Sequence, residues 1–198
     1  MMRIEGRSSG AFIRVSLWFA RRQVTQLAGR CTDEMIEPAQ AYARIPRLMV
    51  ASGMLEQATA SLHGVDERVK VLAEMKAATL TNCEWCIDIG SQIARRAGVS
   101  DRELLALPSY RESDLFDETE KLAMDYAVGM SRTPVAVSDQ LFSELRARFD
   151  DTQLVELTNV IAVENMRGRF YLALGIDAAG YSEGMVCAVP ERTAVPAA

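Results

Sequence analysis

Apolar residues along this chain return every three or four positions and nowhere alternate with polar ones between turn dipeptides, a pattern that admits helices and gives a sheet nothing to form from. From Phe12 to about Arg30 the spacing predicts one amphipathic helix, with Phe12, Val15, Phe19, Val24 and Leu27 on its apolar side and Arg14, Arg21 and Arg22 between them. Tyr42 to Pro46 reads as a short helix stopped before its proline, and Arg47 to His63 as a longer one stopped at Gly64. Further helices are expected over Val65–Leu80, Glu84–Ala97, Leu115–Met130, Ser138–Phe149 and Asp151–Leu174. Ser100 and Glu103 have the spacing of a capping box, opening another that ends near Leu107 and Pro108. The expectation is an all-α fold of seven or eight helices. One helical domain spans residues 11–180, after a disordered or vector-derived lead over 1–10 and before an extended C-terminal arm over 181–198.

The chain is long enough, at 198 residues with 49% hydrophobic side chains, to bury one substantial core. A net charge of −5 argues against nucleic acid as a partner, because neutralising phosphates takes clustered Lys and Arg. Ala11 to Ala20 is apolar enough to suggest a signal peptide, but Arg14 interrupts it; no other segment offers the ~18 uninterrupted apolar residues of a membrane span. Cys31, Cys83, Cys86 and Cys187 are too few and too unevenly spaced for a secreted disulfide framework, which points to a reducing cytoplasm.

Any chemistry the chain performs is expected at Cys83 and Cys86, in Thr-Asn-Cys-Glu-Trp-Cys. Two cysteines one helical turn apart share a face and approach bonding distance, which suits a reversible disulfide. If the first sits where a helix begins, unsatisfied N–H groups and the helix dipole stabilise a thiolate, the nucleophile of both peroxide reduction and thiol-disulfide exchange. Two other readings stay open. Half of a zinc site has the same spacing, although His63, Cys31 and Cys187 are the only further Cys or His ligands and are scattered; and two small buried residues at a helix start need no redox role.

The run Val69 to Cys86, with its helix leading into Cys-Glu-Trp-Cys, resembles the carboxymuconolactone decarboxylase and alkylhydroperoxidase D superfamily. The resemblance extends to Tyr-Ala-Arg-x-Pro at Tyr42–Pro46 and to Glu164-Asn165-x-Arg167-x-Arg169-Phe170, covering roughly residues 40 to 176. It implies an all-helical trimer or hexamer without metal or organic cofactor. In the dithiol branch it implies peroxiredoxin-like or disulfide-reductase activity, on a hydroperoxide or on a protein or small-molecule disulfide. In the decarboxylase branch the cysteines are not required, and the substrates are ring-opened aromatic lactones.

The dithiol branch carries a Glu twelve residues before the first cysteine and a His four after the second, as a proton relay; here those positions hold Val71 and Gly90. Glu74, about one turn nearer the pair, and Asp88, two residues beyond it, are the candidate substitutes, each set against the ordinary reading of a solvated carboxylate. Glu84 would raise a thiol pKa by like charge, and Trp85 would wall the site. Arg167 and Arg169 are candidates for binding an anionic substrate, with pairing to Glu164 or Asp177 the alternative for Arg169. His63, before Gly64 at a helix end, reads as a residue stabilised by the helix dipole rather than as a base. Cys31 and Cys187 read as structural. Which cysteine attacks first is left open. So is whether the chain is instead a lyase on a small aromatic-derived acid or a non-catalytic helical oligomer.

Overall fold

The computed structural model describes residues 2–7 and 9–191, and every regular element among them is helical. In chain order these are α1 (Ala11–Ala28), α2 (Glu37–Tyr42), α3 (Pro46–Ala60), α4 (Glu67–Thr81), α5 (Glu84–Arg96), α6 (Asp101–Ala106), α7 (Glu118–Ser131), α8 (Asp139–Arg146) and α9 (Asp151–Leu174). Short 3-10 turns lie at Glu34–Ile36 and Leu107–Ser109. The all-α expectation holds, with nine helices among the described residues rather than seven or eight. No helix there is long and apolar enough to cross a membrane.

The centre of the fold is α4, which packs against α5, α7 and α9. It is buried on nearly every side: Val69, Val71, Leu72, Ala73, Met75, Ala77 and Ala78 are all core residues. A helix covered all round needs no amphipathic stripe, only small and apolar residues that let neighbours approach. Asp66 starts it by accepting from the N–H groups of Arg68 and Val69. Its two buried lysines are neutralised by carboxylates from other parts of the chain, Lys70 by Glu156 of α9 at 3.1 Å and Lys76 by Glu191 of the C-terminal arm.

Several boundaries differ from the sequence pattern, and those around α2 and α3 have a local reason. Pro46 begins α3 instead of ending a helix: Ile45 before it is extended, and a proline's missing N–H costs nothing in the first turn. The short helix therefore lies earlier, over Glu37–Tyr42. At its other end α3 closes at Ala60, so the exposed His63 stands in the following loop and not in a last helical turn. The expected capping box of Ser100 and Glu103 is present, and Asp117 with Glu120 and Asp150 with Gln153 form two more.

The described segments that flank the helices are tied to this body. In the lead, Arg3 donates its N–H to Leu174 O at 2.6 Å and Arg7 to Gln40 O at 3.1 Å. As far as residue 191, the last one described there, the arm after α9 contains no helix and runs along α5 to α4, where Glu191 contacts Lys76 and Thr79. Of the arm expected over 181–198, residues 192–198 lie outside the described residues.

Candidate active site

The turn between α4 and α5 sets the dithiol. Asn82 takes the left-handed conformation (φ 55°) that ends α4, one that Asn adopts more readily than most residues with a side chain. Cys83 then returns to extended backbone and caps α5: its Sγ accepts from the Cys86 N–H at 3.3 Å. The two cysteines are disulfide-bonded, with Cα atoms 5.2 Å apart. Both are buried, but they differ in surroundings. Cys86 lines a cleft of about 990 Å3, and Cys83 lies behind it with no exposed surface.

Helices α1, α3, α4, α5 and α9 wall that cleft. Most of the wall is apolar or aromatic, including Phe19, Tyr42, Tyr171 and Tyr181 and four methionines, Met35, Met49, Met54 and Met75. Trp85 stands edge-on to Tyr171 (centroids 5.1 Å apart) and to Tyr181 (5.5 Å), and its buried Nε1 has no hydrogen-bond partner among the described residues. Val71 and Gly90, at the positions where the resemblance places a relay, line the cleft as well. A Cβ at Gly90 would sit 2.5 Å from Met75 Sδ, so the methionine fills the space a side chain there would need.

The charge in the cleft is gathered around Arg167. Its Nε donates to Glu56 Oε1 at 2.9 Å and its Nη2 to Glu56 Oε2. Its Nη1 donates to Glu164 Oε2 at 3.0 Å and lies 3.9 Å from Glu74 Oε1. Three carboxylates from α3, α4 and α9 thus share one guanidinium. Burial pushes the Glu74 carboxyl up to about 8, with Glu164, Glu67 and Glu56 adding repulsion and Arg167 opposing it. A quarter of the Glu74 side chain is accessible to solvent, yet the cleft wall withholds most of the hydration a surface carboxylate has. Burial also raises Glu164, whose Oε1 is buried without a hydrogen-bond partner.

Of the residues singled out from the sequence, Cys86, Trp85, Glu74 and Arg167 line this cleft together, with Cys83 bonded behind Cys86. Asp88 does not line it. Its Oδ2 accepts from the N–H groups of Ala179 and Tyr181, both at 2.9 Å, and its Oδ1 from Ser182 at 2.7 Å, so it pins the C-terminal arm to α5. Arg169 lies on the other side of α9, where its Nη2 donates to Thr133 Oγ1 at 2.9 Å; the ion pair with Glu164 is made by Arg167 instead. Cys31 and Cys187 are half-buried free thiols. Among the described residues no group of three or more His, Cys, Asp or Glu is arranged to hold a metal ion.

Sequence reading missed Glu56, because an isolated Glu on α3 carries no pattern that distinguishes it from a surface carboxylate. It missed Tyr171 as well, although a signal was there: Glu164, Arg167 and Tyr171 are spaced three and four apart, which places them on one face of α9.

A sequence model of the carboxymuconolactone decarboxylase family matches residues 46–128, which hold α3 to α6 and most of α7. YnjA of Escherichia coli, an uncharacterized protein, is 35% identical over 185 residues, covering 91% of this chain and 92% of that one. Two solved structures are similar across nearly their whole length. An uncharacterized peroxidase-related protein from Silicibacter superposes with a TM-score of 0.74 at 15% identity, over 93% of this chain and 95% of its own. The debrominase Bmp8 does so with a TM-score of 0.73 at 20% identity, over 91% and 92%; a cysteine-to-alanine variant of it was solved with 2,3,4-tribromopyrrole. At these identities the structural likeness is one of fold.

Proposed function

The chain belongs to the carboxymuconolactone decarboxylase family, and from that premise we propose that it is a dithiol oxidoreductase in which Cys86 meets an organic hydroperoxide in the cleft and Cys83 resolves the product. The observation that carries this is the asymmetry of the pair: Cys86 opens to the cleft while Cys83 stands behind it within bonding reach. In the first step the Cys86 thiolate attacks the distal peroxide oxygen. The O–O bond breaks, giving a sulfenic acid and an alkoxide that takes a proton to leave as the alcohol. In the second step the Cys83 sulfur attacks the sulfenic sulfur, water departs, and the disulfide forms. An external dithiol then returns the pair to thiols.

Glu74 is the proton donor this scheme asks for. A carboxyl raised to about 8 is mostly protonated at neutral pH and still close enough to the working pH to give the proton up. It faces the same cleft as Cys86 from α4, one turn along from Val71. The test is oxidation of the reduced protein by cumene hydroperoxide, followed as disulfide formation. The account expects stoichiometric formation that is lost in C86S and slowed at least tenfold in E74Q; a C86S protein that consumes peroxide as fast as wild type would sink it.

A second reading uses the same pair. The wide aromatic wall also suits a flat halogenated ring, the kind of molecule the debrominase was solved with. A dithiol supplies two electrons and a proton to replace halogen by hydrogen, leaving the disulfide and hydrogen halide. Bromide release from tribromopyrrole on addition of reduced protein separates the two readings.

The same proposal takes the chain as a homo-oligomer seated on α1. That helix buries Ile13 and Leu17 against the body and leaves Phe12, Val15, Trp18 and Phe19 each more than half exposed. A row of large apolar residues turned outward is what a subunit contact uses.

A further inference from the structure

We propose that the cleft admits uncharged, apolar substrates and excludes carboxylates, because the only cation in its wall among the described residues is already neutralised there. This rests on the reading above, in which the cleft is where the dithiol meets its substrate.

The chemistry of the wall carries the argument. A pocket that takes an organic acid needs a guanidinium or ammonium whose charge is not already balanced by neighbouring carboxylates. Arg167 is the one basic residue lining this cleft, and Glu56 engages it through Nε and Nη2 while Glu164 takes Nη1 and Glu74 lies 3.9 Å from it. An incoming carboxylate would meet a guanidinium whose charge is already balanced, and would lie beside the carboxylates that balance it. Arg167 is held by Glu56 and Glu164 and brings no net positive charge to the wall.

What the wall does offer is apolar surface. Met49, Met54 and Met75 give a soft lining that adapts to different hydrocarbon shapes. The class selected is an alkyl or aralkyl hydroperoxide, or an ester of a fatty acid hydroperoxide; the free fatty acid form is disfavoured.

Paired fluorescent probes test this without redox turnover: N-phenyl-1-naphthylamine, which is neutral, and 1-anilinonaphthalene-8-sulfonate, which adds an anionic group to the same skeleton. Titrated into the disulfide form of the full chain, the neutral probe is expected to bind at least tenfold more tightly. In E56Q, where half of the bidentate contact to Arg167 loses its charge, the ratio is expected to narrow at least threefold through tighter sulfonate binding. Glu56 is 44% exposed on α3, so the substitution leaves the core alone, and E56A repeats the measurement with the contact removed. Sulfonate binding as tight as that of the neutral probe in wild type, no binding of the neutral probe, or a ratio unmoved in both variants would each overturn the proposal. A protein that shows the expected probe pattern but never forms its disulfide with peroxide would sink the dithiol reading alone.

Discussion

The backbone N–H of Cys86 points at the sulfur of Cys83, 3.3 Å away, so the first turn of α5 solvates the buried cysteine while the other sulfur opens to the cleft. This arrangement stabilises negative charge on Cys83 whenever the disulfide opens, since the N-terminus of a helix presents unsatisfied donors to an anion. It also divides the labour between two chemically identical residues.

That division predicts different products from the two serine variants. C83S should react with one equivalent of hydroperoxide and stop at a sulfenic acid on Cys86, trapped by dimedone and located by mass spectrometry. C86S should leave the hydroperoxide unconsumed. Dimedone adducts on Cys83 of C86S, formed at the wild-type rate, would reverse the assignment.

The Glu74 carboxyl gives stability a pH dependence of determined sign. Its folded value, about 8, exceeds the ordinary 4.5, so between those pH values the folded chain holds a proton that the unfolded chain has released. Stability contributed by the protonated form is therefore complete below about 4.5 and is lost as pH rises through about 8. Urea unfolding should show a decline across this window of at most about 5 kcal/mol. E74Q should flatten much of it. Glu164 is raised too and adds a slope of the same sign, so the variant should retain part of the decline.

Asp88 predicts the opposite kind of effect, on folding and not on chemistry. Replacing it with alanine orphans the N–H groups of Ala179, Tyr181 and Ser182, a loss of about 3 kcal/mol. Hydrogen exchange should rise at those three amides before it rises in α4, while the rate of disulfide formation per folded molecule stays within twofold of wild type.

Both carboxylates looked equivalent in sequence, each close to the cysteine pair and each plausible as a base. The difference between them is tertiary. Asp88 meets backbone that arrives some ninety residues later, whereas Glu74 meets Arg167 and Glu56 from helices distant in the chain. Local pattern was enough for the helices themselves, because the period of 3.6 and the Ser and Asp caps are written within a few residues. It failed at Pro46, where the same residue type serves equally to stop a helix and to start one, and only the backbone of Ile45 decides. The cysteine pair was legible as two sulfurs one turn apart because that follows from its spacing, while the turn at Asn82 that buries Cys83 and leaves Cys86 on the cleft was not. The cluster around Arg167 was half legible, since Glu164 and Arg167 share a helix face but Glu56 is joined to them by folding alone.

The exposed side of α1 predicts the assembly. Trp18→Glu places a charge among Phe12, Val15 and Phe19, all more than half exposed in the single chain. Light scattering should report a trimer or hexamer for wild type and a lower mass for the variant, with circular dichroism unchanged. A wild-type protein that scatters as a monomer would leave that face without this role.

The most direct test of the dithiol account follows the fully reduced wild-type protein after one equivalent of cumene hydroperoxide, with timed alkylation and mass spectrometry. The account predicts loss of two thiols per chain within seconds, all of it as the Cys83–Cys86 disulfide, with Cys31 and Cys187 still alkylated. Two thiols at positions 83 and 86 that stay reduced while peroxide persists would contradict it.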